Sequence, residues 1–103
     1  MALEITDENI NELLSKKSIS VIDFYAEWCA PCKMLGPVID DLATEMSDVT
    51  IGKLNVSDNA QASSQYQITG IPCIVFFKDG VEVSRVKGVT SKSALKKIIE
   101  GMK

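Results

Sequence analysis

The chain has 103 residues, enough for one domain with a single buried core. Its 46% hydrophobic and 24% charged residues exclude a disordered chain, and 11 basic against 14 acidic residues leave a net charge of −3, a poor match to nucleic acid or an anionic membrane. Histidine is absent, which removes Ser-His and Cys-His catalysis and every histidine-containing metal site.

In chain order, Leu3–Ile5 reads as a short first strand. Thr6 or Asp7 then offers an N-cap to a helix whose apolar stripe is Ile10, Leu13 and Leu14. Ile19–Tyr25 is rich in β-branched and aromatic residues and apolar on both parities except at Ser20 and Asp23, which predicts a central strand covered on both faces. A helix is expected from about Ala30, with Leu35, Val38, Ile39, Leu42 and Met46 on one face and Pro37 inside it as a source of a kink. Residues 49–56 read as a strand, residues 59–66 as a short helix and Cys73–Lys78 as a strand. Asp79-Gly80 marks a tight hairpin into a strand over residues 81–86. Thr90 or Ser91 can cap a last helix that presents Ala94, Leu95, Ile98, Ile99 and Met102 on one face.

The order β-α-β-α-β-α-β-β-α predicts an α/β fold. A single mixed central sheet, parallel early and antiparallel at the end, carries helices on both faces. No repeat, linker or low-complexity stretch divides it, so residues 1–103 are expected to be one domain. The longest apolar run, residues 71–77, contains Pro72 and is far too short to span a bilayer. Met1-Ala2-Leu3-Glu4 has neither the basic nor the apolar region of a signal peptide, so a cytoplasmic protein is expected.

Chemistry concentrates in Trp28-Cys29-Ala30-Pro31-Cys32-Lys33, where the central strand becomes a helix. Two residues between cysteines at a helix start can bring the sulfurs within bonding range. Cys29 falls at or near the N-cap, where unpaired N–H groups and the helix dipole stabilise a thiolate, the form that attacks disulfides. Cys29 is then the natural nucleophile, and Cys32, one turn in and more shielded, the resolving thiol. Pro31 suits a first turn, where its missing N–H costs nothing. The same spacing also fits two inert thiols or half of a metal site.

With these blocks in view the chain resembles the thioredoxin family. The active-site block is Ile22-Asp23-Phe24-Tyr25-Ala26-Glu27-Trp28-Cys29 followed by Pro31-Cys32-Lys33. Lys53-Leu54-Asn55-Val56, Gly70-Ile71-Pro72 with an apolar strand after it, Lys78-Asp79-Gly80 and Gly88 complete a match over essentially the whole chain. The resemblance implies a thioredoxin fold and a reductant of protein disulfides. Cys29 would attack the client, and Cys32 would resolve the mixed disulfide and leave Cys29–Cys32 oxidised. The domain would bind no cofactor or metal and would take electrons from a flavin-containing thioredoxin reductase. Its partners would be that reductase and disulfide-containing client proteins, not nucleic acid or membrane, and a monomer is expected. Two positions depart from the family's commonest pattern: Ala30 stands where glycine is usual, and Cys73 where threonine or serine is usual.

Asp23 interrupts an apolar strand, and a buried unpaired carboxylate is costly. It is either a strand-end acid reaching water or, as the resemblance implies, a buried acid near Cys32 whose raised pKa makes it a proton acceptor. Lys53 alone reads as an edge lysine with a solvated head; the resemblance brings it near Asp23, where it modulates the carboxyl's charge. Proline after Ile71 is trans by default, and the resemblance implies that Pro72 is cis and faces the active site. Trp28, Ala30, Pro31, Gly70, Ile71, Gly88 and Val89 form the implied docking surface around Cys29. Met34 reads as core or near-surface filler. Cys73 admits three readings: a packing residue, a redox-regulatory thiol, or a third soft-metal ligand beside Cys29 and Cys32. The functional alternatives to a dithiol–disulfide reductase are accordingly a metal or cluster carrier and a binding module without turnover.

Overall fold

A computed structural model of the chain describes residues 1–103. Its elements are β1 (Leu3–Ile5), α1 (Ile10–Leu14), β2 (Ile19–Tyr25), α2 (Ala30–Glu45), β3 (Thr50–Asn55), α3 (Ala60–Gln65), β4 (Cys73–Lys78), β5 (Val81–Lys87) and α4 (Lys92–Met102). The five strands form one sheet in the order β1-β3-β2-β4-β5. β3 is parallel to both β1 and β2, β4 is antiparallel to β2, and β5 is antiparallel to β4. This is the mixed sheet that the order of elements predicts.

Alternation along the strands divides the core into two layers. Val21, Ile51, Ile74 and Phe76 face Leu35, Ile39 and Leu42 of α2 and Leu95 and Ile99 of α4. Ile22, Phe24, Leu54, Val75 and Phe77 face Ile10 and Leu14 of α1 and Ala62 of α3. β2 is central and buried on both sides, which is why its apolar residues do not alternate with polar ones.

The hairpin forms where Asp79-Gly80 stands. Both residues have positive φ, 53° and 83°, the conformation of a two-residue turn that matches strand twist. A Cβ on Gly80 would lie 2.7 Å from the Leu14 carbonyl oxygen, so that turn is also tied to the end of α1.

One cap differs from expectation. The N-cap of α1 is Asn9, not Thr6 or Asp7; its side chain reaches back to accept the Thr6 N–H at 2.8 Å. Asp7 instead caps α3, which is 55 residues away in sequence at Ala62. Its carboxylate accepts the N–H groups of Ala62 at 2.7 Å and Gln61 at 3.3 Å, and its own N–H donates to Asn59 at 2.9 Å. Ser91 caps α4 by accepting the Ala94 N–H at 3.2 Å.

Candidate redox site

The site forms where β2 ends and α2 begins. The Cys29 N–H donates to the Ala26 carbonyl at 3.2 Å, closing the turn that leaves the strand, and the Lys33 N–H donates to the Cys29 carbonyl at 3.2 Å. Cys29 is therefore the N-cap of α2, in extended backbone conformation, and its Sγ accepts the Cys32 N–H at 3.3 Å. A sulfur there receives one of the unpaired donors of the first turn and the positive end of a 16-residue helix. Pro31 occupies the first turn, as expected.

Cys29 and Cys32 are joined as a disulfide, with Cα atoms 5.2 Å apart. Both residues are buried, Cys29 6% exposed and Cys32 3%. Ala30 and Pro31, between them, are exposed.

The Ile71–Pro72 peptide bond is cis, and the Ile71 carbonyl oxygen lies 3.9 Å from Cys29 Sγ. Pro72 is tied to the end of β5 by the Gly88 N–H, which donates to its carbonyl at 2.9 Å. Trp28 is 74% exposed and held by an Nε1–H bond to Ser57 Oγ at 3.3 Å. Trp28, Val56, Ile68, Gly70 and Ile71 line a shallow hollow of about 190 Å³ beside Cys29. Val89 adds an exposed apolar residue after Gly88, and Met34 is exposed, so it is not core. The Cys29 side of the site is thus an apolar rim beside the Ile71 backbone, suited to an extended peptide.

Behind the disulfide lies a cavity of about 520 Å³ whose lining includes Cys32, Asp23, Glu27, Lys33, Asp40 and Lys53. Asp23 is 1% exposed, and neither carboxylate oxygen has a hydrogen-bond partner. Burial pushes its pKa up to about 7, against the lowering effect of the Lys53 ammonium; the Asp40 charge adds to the rise. Asp23 and Lys53 are direct neighbours in the parallel register of β2 and β3. The ammonium, however, pairs with Asp40 on α2, Nζ to Oδ2 at 3.2 Å.

The residues proposed from the sequence thus fall into two groups. Trp28, Gly70, Ile71 and Pro72 gather with Cys29 on the outer side, and Asp23 and Lys53 gather with Cys32 on the inner. Cys73 belongs to neither. It is 1% exposed, reduced, and packed with Phe24 and Val75 in the layer under α1 and α3, where burial raises its thiol pKa. No three Cys, Asp or Glu side chains come together as a group able to hold a metal ion, so the structure does not assemble the three-thiol ligand set.

Asp40 and Ser57 are site residues that the sequence reading missed. Ser57 carries no local signal. For Asp40 there was one: Lys33, Gly36, Pro37 and Asp40 fall at helical spacing and form a polar, small-residue stripe beside the apolar face of α2.

A sequence profile described as Thioredoxin matches residues 1–101. The thioredoxin of Chlamydia caviae is 43% identical over 99 residues, 96% of each chain, and that of Chlamydia pneumoniae 41% identical over 95 residues, 92% of each. Among solved structures, a mutant thioredoxin from Halobacterium salinarum NRC-1 superposes with a TM-score of 0.89 at 37% identity, over 97% of this chain and 88% of that one. The chain belongs to the thioredoxin family of dithiol–disulfide oxidoreductases.

Proposed function

We propose that the chain, as a single monomeric domain, reduces disulfides in client proteins with Cys29 as nucleophile, Cys32 as resolving thiol and Asp23 as proton acceptor. In the reduced form the Cys29 thiolate attacks one sulfur of a client disulfide. The client S–S bond breaks, a mixed disulfide forms, and the first client sulfur leaves as a thiolate. Asp23 then takes the proton of the Cys32 thiol. The Cys32 thiolate attacks Cys29 Sγ, releases the second client thiolate and leaves the Cys29–Cys32 disulfide. The client gains two electrons and leaves as two thiolates that take their protons from solvent; the domain loses two electrons, and the proton of the Cys32 thiol remains on Asp23 until solvent takes it.

One observation carries this reading: Cys29 Sγ accepts the Cys32 N–H at the N-cap of α2, which favours the thiolate at Cys29. Asp23 is suited to proton acceptance because its carboxyl titrates near neutral pH and lines the same cavity as Cys32. Lys53, its register neighbour, modulates that titration. Trp28, Ala30, Pro31, Gly70, Ile71, Pro72, Gly88 and Val89 form the docking surface for client and reductase. A flavin-containing thioredoxin reductase would return two electrons to the disulfide. No helix is long and apolar enough to cross a membrane. A reducing compartment such as the cytoplasm suits a domain that must be kept as a dithiol.

The test is dithiothreitol-driven reduction of insulin by wild type and Cys29→Ser. Acceleration by wild type alone supports the reading. Equal rates for the two proteins would remove it.

A further inference from the structure

The cavity behind the disulfide contains an ion pair whose partner is unexpected. Lys53 lies beside Asp23 in the β2–β3 register, both on the α2 side of the sheet. A lysine next to an unpaired carboxylate within one cavity would ordinarily pair with it. Here both Asp23 oxygens are without a partner, and the ammonium points across the cavity to Asp40.

Asp40 is built to hold it. One carboxylate oxygen accepts the Ala2 N–H at 3.1 Å, and the other accepts Lys53 Nζ at 3.2 Å. Partial desolvation works against its charge, but these two bonds prevail and hold its pKa below the ordinary value. Asp40 is therefore ionised at neutral pH. The choice of partner follows from solvation: an ion pair at half-exposed Asp40 costs little, whereas one at Asp23 requires a fully buried carboxylate. Nζ lies 3.6 Å from where a Cβ on Gly36 would stand, so the α2 backbone beside the pair has no side chain in the way.

We infer that Asp40 is a positioning residue for the redox reaction: by holding the Lys53 ammonium it keeps the Asp23 carboxyl unpaired and free to exchange a proton with Cys32. This deepens the proposed function and rests on Asp23 acting as the proton acceptor. The other titratable or charged groups facing the cavity are Tyr25 from β2, Glu27 from the turn, Cys32 and Lys33 from α2. The Asp23 charge also reaches Cys73 of β4. None of these makes a hydrogen bond to Asp23.

The experiment is a carboxyl ¹³C NMR titration of Asp23 in the oxidised protein, for wild type and Asp40→Asn. Asparagine keeps an oxygen for the Ala2 N–H and removes the charge that holds Lys53. The Asp23 midpoint is expected to fall by about one pH unit or more, the effect of an opposite charge moving within a few ångströms. The same substitution in a Lys53→Met background should move the midpoint clearly less. An unmoved midpoint overturns the inference, and so does an equal shift in both backgrounds, since Asp40 would then act by its own charge and not through Lys53. Insulin reduction measured against pH for the same proteins separates this from the parent reading. A midpoint that shifts while the pH profile stays fixed supports the hold of Asp40 on Lys53 and removes Asp23 from proton transfer.

Discussion

The Sγ of Cys29 accepts the backbone N–H of Cys32, so the sulfur proposed to attack the client is also the cap of the helix that carries its disulfide partner. Reactivity and secondary structure are therefore coupled. The donor that stabilises a Cys29 thiolate is fixed by the first turn of α2 and needs no reorganisation when charge develops.

The two sulfurs are not equivalent, and Cys32→Ser distinguishes their roles. Cys29 keeps its cap position in that variant, so attack on the client persists while resolution is lost. The expected outcome is a stable mixed disulfide with insulin, visible on a non-reducing gel and by intact mass, without turnover. A variant that forms no adduct would mean that Cys29 does not attack first.

Asp23 makes stability depend on pH with a definite sign. The carboxyl titrates at 3.8 when unfolded and near 7 when folded, because burial disfavours the charge. Within that window the native state binds more protons than the unfolded state, so stability falls as pH rises and levels off above about 7. The gap is worth on the order of 4 kcal/mol at about 1.4 kcal/mol per pH unit. Asp23→Asn removes the ionisation, and with it this part of the slope. Urea denaturation at pH 5 and pH 8 should show a loss for wild type that the variant largely lacks. Parallel behaviour of the two proteins would place the carboxyl in an ordinary, solvated environment.

Cys73 packs as a small apolar side chain in the layer under α1 and α3. Cys73→Ser puts a hydroxyl there and should cost about 1–3 kcal/mol by denaturant unfolding. Insulin reduction should stay close to the wild-type rate, because the thiol lies in neither group of site residues. A large loss of activity at full stability would restore a redox role for this thiol.

The cap of α3 comes from Asp7, so β1 and the segment leading to Ile71 and Pro72 are joined through one carboxylate. Asp7→Ala should destabilise the fold by about 1–2 kcal/mol, the usual cost of a lost N-cap. The Gln61 and Ala62 amides should exchange with deuterium faster, ahead of the core strands. Unchanged protection at these two amides would show that the cap is dispensable.

Much of this molecule is legible in its sequence because it is governed by neighbours in the chain. The Asp79-Gly80 turn follows from two residues that tolerate positive φ. The unbroken apolar run of β2 announces a strand covered on both faces, and two cysteines at a strand-to-helix junction announce an N-cap sulfur. These features are local, and local geometry is dictated by sterics and by the donors a helix start leaves free.

Tertiary structure decided what depends on side chains far apart in the sequence. That Asp7 caps α3 and not α1 depends on how the β1–α1 connection lies against Asn59. That Trp28 is braced by Ser57 depends on the loop after β3 passing the start of α2. The partner of Lys53 depends on the β2–β3 register and on which face of α2 meets the sheet; sequence spacing alone allowed Asp23 as readily as Asp40. The outcome is set by desolvation, a property of the assembled fold: a charge pairs where water still reaches it, and the fully buried carboxyl is left to hold a proton instead.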